Sequence, residues 1–217
     1  MGTVVQHWCD SGGAARLGAM HTDAPIEVPW KSGAWTALPV AAEEAGGRLR
    51  VTAAEGSDAW RHTAYGFVHD NEHALLEAWS REQAVEVSFI ADYGAQFDQA
   101  GLMVRVDAEH WIKTGVEFAD GALQLGAVVT DGRSDWSTAP VPEWAGKEVT
   151  MRATRFNDAV VIRARAGEEE PWRLVRLAPL DPDAAVTAGP YCCAPSRAGL
   201  TVEFTSWRLT DPDADLH

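Results

Sequence analysis

Residues 98–118, DQAGLMVRVDAEHWIKTGVEF, decide the fold class of this chain. Apolar and polar residues alternate along them with a period of two, which is typical of half-buried β-strands. They predict a hairpin whose strands span residues 100–107 and 110–118, joined at Ala108 and Glu109. Because successive side chains of a strand point to opposite sides, each face of this hairpin has its own chemistry.

One face of the hairpin is mainly apolar, and we expect it to lie in a core: Leu102, Val104, Val106, Ile112, Thr114, Val116 and Phe118. The other face is mixed: Gln99, Met103, Arg105, Asp107, Trp111, Lys113 and Glu117. An aromatic ring with cations and carboxylates is unusual on a buried surface and typical of a solvated or ligand-binding one. The hairpin therefore predicts both a core and a candidate binding face.

Similar segments follow one another along the chain, separated by turn signals such as Asp120-Gly121 and Asn157-Asp158. About ten to twelve short strands predict an all-β sandwich of two antiparallel sheets. Residues 41–47, AAEEAGG, are predicted to be a loop, and the best short candidate for a helix is 72–78. We expect an irregular N-terminal extension over 1–25, the sandwich over 26–210 and a loose acidic tail over 211–217.

The charge of the chain excludes several classes of partner. The 217 residues carry a formal net charge of −14, which repels phosphate backbones and anionic lipid surfaces, so we expect no nucleic acid and no membrane partner. The first residues lack the features of a secretory signal, and the three cysteines include the adjacent pair Cys192 and Cys193. Reduced thiols and a cytoplasmic location are the expectation.

Four blocks carry a resemblance to a known family: TAYGFVHDNEH at 63–73, the stretch at 98–118, SDWS at 134–137 and GPYCCAPSRAGLTVEFTSW at 189–207. Together they resemble an uncharacterised family named after a protein linked to the regulation of enolase. The central block also resembles the module that follows the catalytic domain in some β-xylosidases. Both resemblances imply a concanavalin A-like jelly roll with a concave and a convex sheet; neither implies a catalytic residue.

The mixed face of the hairpin resembles a sugar platform, in which a ring stacks on a pyranose and charged groups bind hydroxyls. We predict a noncatalytic domain that binds a small carbohydrate or polyol. The candidate ligand-binding residues are Trp60, Tyr65, His73, Gln99, Arg105, Trp111, Lys113, Glu117 and Trp136. The structural alternative is a satisfied network in which Arg105 and Glu117 form a cross-strand ion pair.

Other functions have weaker support in the sequence. His69 and His73 are four residues apart, a metal-binding spacing on a helix, but a third ligand is missing and we predict no metal site and no cofactor. Glu117 is one carboxylate of the two that glycoside hydrolysis requires, and no partner is evident. A protein-interaction module in metabolic regulation remains the alternative to carbohydrate binding, and it would require an exposed apolar patch and a protein partner.

Overall fold

The computed structural model describes residues 24–216. Two large antiparallel sheets face each other, and a separate two-stranded hairpin covers the outer side of one of them. The strands are β1 (Ile26–Glu27), β2 (Ala34–Trp35), β3 (Ala41–Ala45), β4 (Arg48–Thr52), β5 (Ala59–Arg61), β6 (Val68–Asp70), β7 (His73–Ala78), β8 (Ala84–Ala91), β9 (Gln99–Arg105), β10 (His110–Ala119), β11 (Ala122–Asp131), β12 (Arg133–Pro140), β13 (Val149–Phe156), β14 (Ala159–Ala166), β15 (Arg173–Pro179), β16 (Thr187–Cys193) and β17 (Thr201–Thr210). Short 3-10 helices span Trp30–Ser32 and Pro142–Trp144.

The eight-stranded sheet has the order β15-β14-β13-β8-β17-β4-β3, with β1 paired to β17. The seven-stranded sheet has the order β12-β11-β10-β9-β16-β7-β2, and β5 pairs with β6. Neighbours in this order are often distant in the chain, as in a jelly roll. The predicted all-β sandwich of two antiparallel sheets is confirmed.

The predicted hairpin is β9 and β10, with Lys113 opposite Met103 and Glu117 opposite Gln99. Its connection is longer than predicted because the Asp107 carboxylate accepts hydrogen bonds from the backbone N–H groups of Glu109 and His110, at 2.8 and 2.9 Å. Such a turn removes the flanking residues from the sheet ladder. Val106, expected in the core, is therefore 36% exposed.

Apolar side chains fill both faces of the seven-stranded sheet. Leu102, Val104, Ile112 and Val116 lie in the core between the two sheets, as the alternation predicts. On the opposite face lies a second apolar cluster, which the β5–β6 hairpin covers: Ala59, Trp60, Ala74, Leu76, Met103, Trp111, Val128, Tyr191 and Cys193. The face predicted to be a binding face is thus partly a second core.

Two local predictions were wrong. Residues 72–78 form no helix, because their last six residues are strand β7, with Leu75 in the inter-sheet core and Leu76 in the second apolar cluster. A strand buried on both faces is a continuous apolar run, so its period is not visible in the sequence. The predicted loop at 41–47 contains edge strand β3, which pairs with β4 and is largely exposed.

The C-terminal acidic segment is held against the protein and does not form the loose tail we expected. The Asp213 carboxylate accepts hydrogen bonds from Arg152 at 2.9 Å and from Arg163 at 3.1 Å. Arg163 also donates to the carbonyl oxygen of Leu216 at 2.9 Å. The expected N-terminal extension lies outside the described residues up to position 23, and β1 begins at Ile26.

A tight backbone approach lies in the middle of the β9–β10 hairpin. Gly101 and Gly115 are opposite each other, and a Cβ at Gly115 would lie 2.1 Å from the carbonyl oxygen of Ala100. Since the obstacle is backbone, a Gly115→Ala substitution must separate the two strands. Urea unfolding should show a loss of about 2–3 kcal/mol, the upper part of the range for overpacking.

The control is Gly94→Ala, whose Cβ would meet only the flexible Arg197 side chain at 3.4 Å. We expect this variant to lose less than about 1 kcal/mol. Equal losses for the two variants would contradict the steric interpretation.

Candidate functional site

A cavity of about 310 Å³ opens on the outer side of the seven-stranded sheet, where the cover of the β5–β6 hairpin ends. The residues that line it are Gly56, Asp58, Trp60, Tyr65, Phe67, His69, Phe97, Gln99, Lys113, Glu117, Val128, Trp136 and Pro195. A larger cleft of about 760 Å³ lies elsewhere, but its rim residues Asp135 and Arg176 are already ion-paired at 2.8 Å. The smaller cavity has unpaired buried polar atoms, which makes it the better candidate.

Five aromatic residues form a continuous aromatic wall: Trp60, Tyr65, Phe67, Phe97 and Trp136. Trp60 stands edge-on to both Tyr65 and Trp136, with ring centroids 5.7 and 6.4 Å apart. Tyr65 stacks on Phe67 at 5.4 Å, and Phe97 meets Trp136 at 6.5 Å. Tyr65, Phe67 and Trp136 are between 39% and 58% exposed, so part of their ring surface is open to a ligand.

Trp60 and the hairpin that carries it are fixed by hydrogen bonds. The Trp60 indole N–H donates to the carbonyl oxygen of Thr63 at 2.9 Å. Next to it, the backbone N–H of Arg61 donates to Ser134 Oγ at 2.9 Å, and its guanidinium donates to the Gly132 carbonyl at 3.3 Å. These bonds join the hairpin to β12, so Trp60 and Trp136 keep a defined separation.

Phe97 is positioned by the loop that leads into β9. The buried Asp98 carboxylate accepts hydrogen bonds from the backbone N–H groups of Gly94 and Ala95 and from Arg197, at 2.8, 3.0 and 2.8 Å. Phe97 has a φ of 68°, which costs a non-glycine residue energy and needs support from its surroundings. The three bonds to Asp98 supply that support, and the Phe97 ring centroid lies 6.5 Å from that of Trp136.

The floor of the cavity consists of Asp58, Gln99, Lys113 and Glu117. Lys113 is only 3% exposed, and its ammonium donates to Asp58 Oδ1 at 2.7 Å. The same oxygen accepts the backbone N–H of Ala59 at 2.8 Å and the Gln99 amide N–H at 3.4 Å. Burial disfavours a charged lysine, but the Asp58 carboxylate outweighs it and raises the pKa of Lys113. Lys113 is therefore a charged donor in the floor of the cavity.

Glu117 is the carboxyl group of the floor that has an unsatisfied oxygen. Its Oε1 atom is buried and has no hydrogen-bond partner in the described part of the protein. Burial raises the pKa of Glu117 to about 7, and the nearby Asp58 and Asp120 add to this effect, although Lys113 opposes it. Gln99, its partner across the strands, also has a buried Oε1 without a partner. Two such acceptors on one floor indicate a place for a ligand or ordered water.

The cavity brings together six of the nine predicted residues: Trp60, Tyr65, Gln99, Lys113, Glu117 and Trp136. It does not include Trp111, which is 3% exposed in the second apolar cluster. The β5–β6 hairpin covers this part of the sheet, and its docking could not be read from the alternation of one strand.

Arg105 and His73 also lie outside the cavity. The alternative of a cross-strand Arg105–Glu117 ion pair does not form, because Arg105 pairs with Asp70 at 3.2 Å and with Glu72 at 3.0 Å. His73 is buried: its Nε2 accepts the backbone N–H of Ala54, and its Nδ1–H donates to the Ala37 carbonyl, both at 3.0 Å. Backbone groups thus occupy both ring nitrogens of His73. Among residues 24–216 no cluster of three or more metal-ligating side chains is found.

Sequence reasoning missed the other four aromatic or ionisable lining residues: Asp58, Phe67, His69 and Phe97. Their segments contain no clean alternation, because they are loops and short strands. The aromatic enrichment around Trp60 was the available signal for Phe67. No local signal indicated Asp58, whose partner Lys113 lies 55 residues further along the chain.

Two packed antiparallel sheets with a walled cavity on one outer face define a concanavalin A-like β-sandwich protein. Residues 35–212 match the family described as "Protein of unknown function (DUF1349)". The chain belongs to this family. In the described part of the chain we find no helix with the length and apolarity needed to cross a bilayer.

Relatives of the chain agree with this assignment. "Regulation of enolase protein 1" of Saccharomyces cerevisiae is 37% identical over 180 residues, which are 83% of this chain and 90% of the relative. A solved structure of a functionally unknown S. cerevisiae protein superposes with a TM-score of 0.80 at 35% identity, covering 86% of this chain and all of the other. A xylan β-1,4-xylosidase of Bacillus halodurans shares the fold alone, with a TM-score of 0.60 and 18% identity over 78% of this chain and 34% of the enzyme.

The Asp58–Lys113 pair predicts an asymmetric response to substitution. Asp58→Asn leaves the buried Lys113 ammonium without its carboxylate, and we expect urea unfolding to show a loss of about 3–5 kcal/mol. The double variant Asp58→Asn, Lys113→Met removes both charges, so it should lose less than the single variant. A double variant that is less stable than Asp58→Asn would rule out an uncompensated charge as the cause.

Glu117 predicts a pH dependence of stability. Its folded pKa of about 7 exceeds the usual 4.5 of an unfolded chain, so the folded state holds the extra proton. The stability that comes from Glu117 is therefore fully present below pH 4.5. As the pH rises to 7 and above, the free energy of unfolding should fall by up to about 3 kcal/mol. Unfolding free energies of wild type and Glu117→Gln between pH 4.5 and 8 test this, since other carboxyls cancel in the difference. A difference that stays constant over this range would contradict it.

Proposed function

We propose that the cavity binds a small carbohydrate or related polyol and does not act on it chemically. The observation that carries this proposal is the pair of buried acceptors, Gln99 Oε1 and Glu117 Oε1, without partners beneath an aromatic wall. Sugar hydroxyls are suitable donors for such oxygens. The C–H faces of a sugar ring pack well on aromatic side chains.

The size of the cavity supports a small ligand. Ligand pockets commonly measure about 300–1,000 Å³, and this one, at about 310 Å³, is at the lower end. A monosaccharide or short polyol is therefore a better match than a long chain. The Asp58–Lys113 pair supports binding over hydrolysis, because Asp58 is engaged and Glu117 is left without a second free carboxylate.

The cellular location and the alternative of a protein partner are further parts of the proposal. We place the protein in the cytoplasm, in keeping with Cys192 and Cys193, which are free and buried as a reducing compartment allows. The alternative, a protein-interaction module, stays a prediction. The exposed Leu38 and Val40, which lead into edge strand β3, are the apolar surface it would use.

Isothermal titration against a panel of monosaccharides, short oligosaccharides and polyols tests the binding proposal. We expect at least one member to bind the wild-type protein and Trp136→Ala to weaken its affinity about tenfold, because stacking area is lost. Trp172→Ala is the matched control, since Trp172 is partly exposed beside Arg165 and does not line the cavity. Absence of binding by the whole panel, or equal losses for both variants, would overturn the proposal.

A further inference from the structure

The charges on the floor of the cavity do not balance. Lys113 is the one lysine or arginine among the described residues that line the cavity, and Asp58 neutralises it at 2.7 Å. Glu117 remains as a carboxyl group without a cation bonded to it. When Glu117 ionises, the cavity carries one negative charge in excess, and a bound monocation would restore balance.

The unpaired hydrogen-bonding atoms of the floor are acceptors. Glu117 Oε1 and Gln99 Oε1 are buried without a partner, whereas the Lys113 ammonium and the Gln99 amide group each already donate one hydrogen bond to Asp58. A ligand therefore gains most by bringing donors to the floor. A phosphate or carboxylate brings only acceptors and a negative charge, which this floor repels.

The aromatic wall and the whole-chain charge favour the same kind of ligand. Aromatic faces attract ammonium groups within about 6 Å, and five rings surround this floor. The formal net charge of −14 attracts cations toward the protein and repels anions. His69 also lines the cavity, and when protonated it would oppose a cationic ligand.

We propose that the ligand of this cavity is an amino sugar or amino polyol, whose ammonium group binds to Glu117 Oε1 and Gln99 Oε1. This inference rests on the proposed function and narrows its ligand class. The other hydroxyls and the carbon skeleton of the ligand would pack against Trp60, Tyr65 and Trp136. The cavity of the free protein then has a binding site for one ammonium group, and Glu117 releases its proton when that group binds.

Matched pairs of ligands test the inference: glucosamine against glucose, and 1-amino-1-deoxysorbitol against sorbitol. Each pair keeps the carbon skeleton and exchanges one hydroxyl for an amine. Isothermal titration at pH 7 should show the amine binding at least about tenfold more tightly, as expected for a charge-assisted hydrogen bond. Glucuronate, an anionic relative, should bind more weakly than glucose.

The variant Glu117→Gln isolates the charge. It keeps the size of the side chain, and we expect the ratio between amine and neutral affinities to fall to within about twofold. Glu169→Gln is the matched control, because Glu169 is exposed and does not line the cavity; its ratio should equal that of the wild type. Circular dichroism should show that both variants are folded.

Proton release supplies a second readout. Glu117 has a pKa of about 7, so roughly half of the free molecules carry its proton at pH 7. The titratable groups around it are Asp58, Lys113, Asp120, His69, Tyr93 and Tyr191. Titration of 1-amino-1-deoxysorbitol in buffers of different ionisation enthalpy should show up to about half a proton released by the wild type. Glu117→Gln should release clearly less.

The outcomes separate the two proposals. If no sugar or polyol binds, the proposed function and this inference both fail. If neutral sugars bind as tightly as their amines, or glucuronate binds most tightly, the proposed function stands and this inference is overturned. An amine preference that survives Glu117→Gln overturns it as well, because the carboxyl group would then not be its source.

Discussion

The seven-stranded sheet has apolar side chains packed on both of its faces. Leu102 and Val116 lie against the eight-stranded sheet, and Met103 and Trp111 lie under the β5–β6 hairpin. An ionised side chain on such a sheet has little access to water and needs a partner inside the protein. Lys113 therefore pairs with Asp58. Where the hairpin ends, the cover is incomplete, and the cavity lies at this boundary between buried and open sheet.

The outer face of the eight-stranded sheet is polar, unlike that of the seven-stranded sheet. It has no apolar cluster in the described part of the chain, and several of its charged groups pair with one another. Arg152 is bonded to Glu86 at 2.6 Å and to Asp213 at 2.9 Å. These contacts hold the C-terminal segment on the surface. The eight-stranded sheet therefore holds the C-terminal segment with ion pairs, whereas the seven-stranded sheet carries the cavity.

The prediction of the fold succeeded where the two faces of a strand differ in residue type and failed where they do not. The 98–118 hairpin alternates clearly, and its facing residues were assigned correctly except at Val106, where the Asp107 turn ends the strand early. Strand β7 was predicted as the best helical segment because both of its faces are apolar. Edge strand β3 was predicted as a loop, since an exposed strand needs no apolar face.

The facing of each side chain in the central hairpin follows from the local sequence, because alternation is a property of the extended backbone itself. The sequence therefore placed Gln99, Lys113 and Glu117 together on one face. Segments that are distant along the chain decide which of these groups is paired and which is left without a partner. Asp58 reaches Lys113 only because the β5–β6 hairpin docks on the sheet. The same docking buries Trp111 and raises the pKa of Glu117, since both effects require the exclusion of water by packed segments.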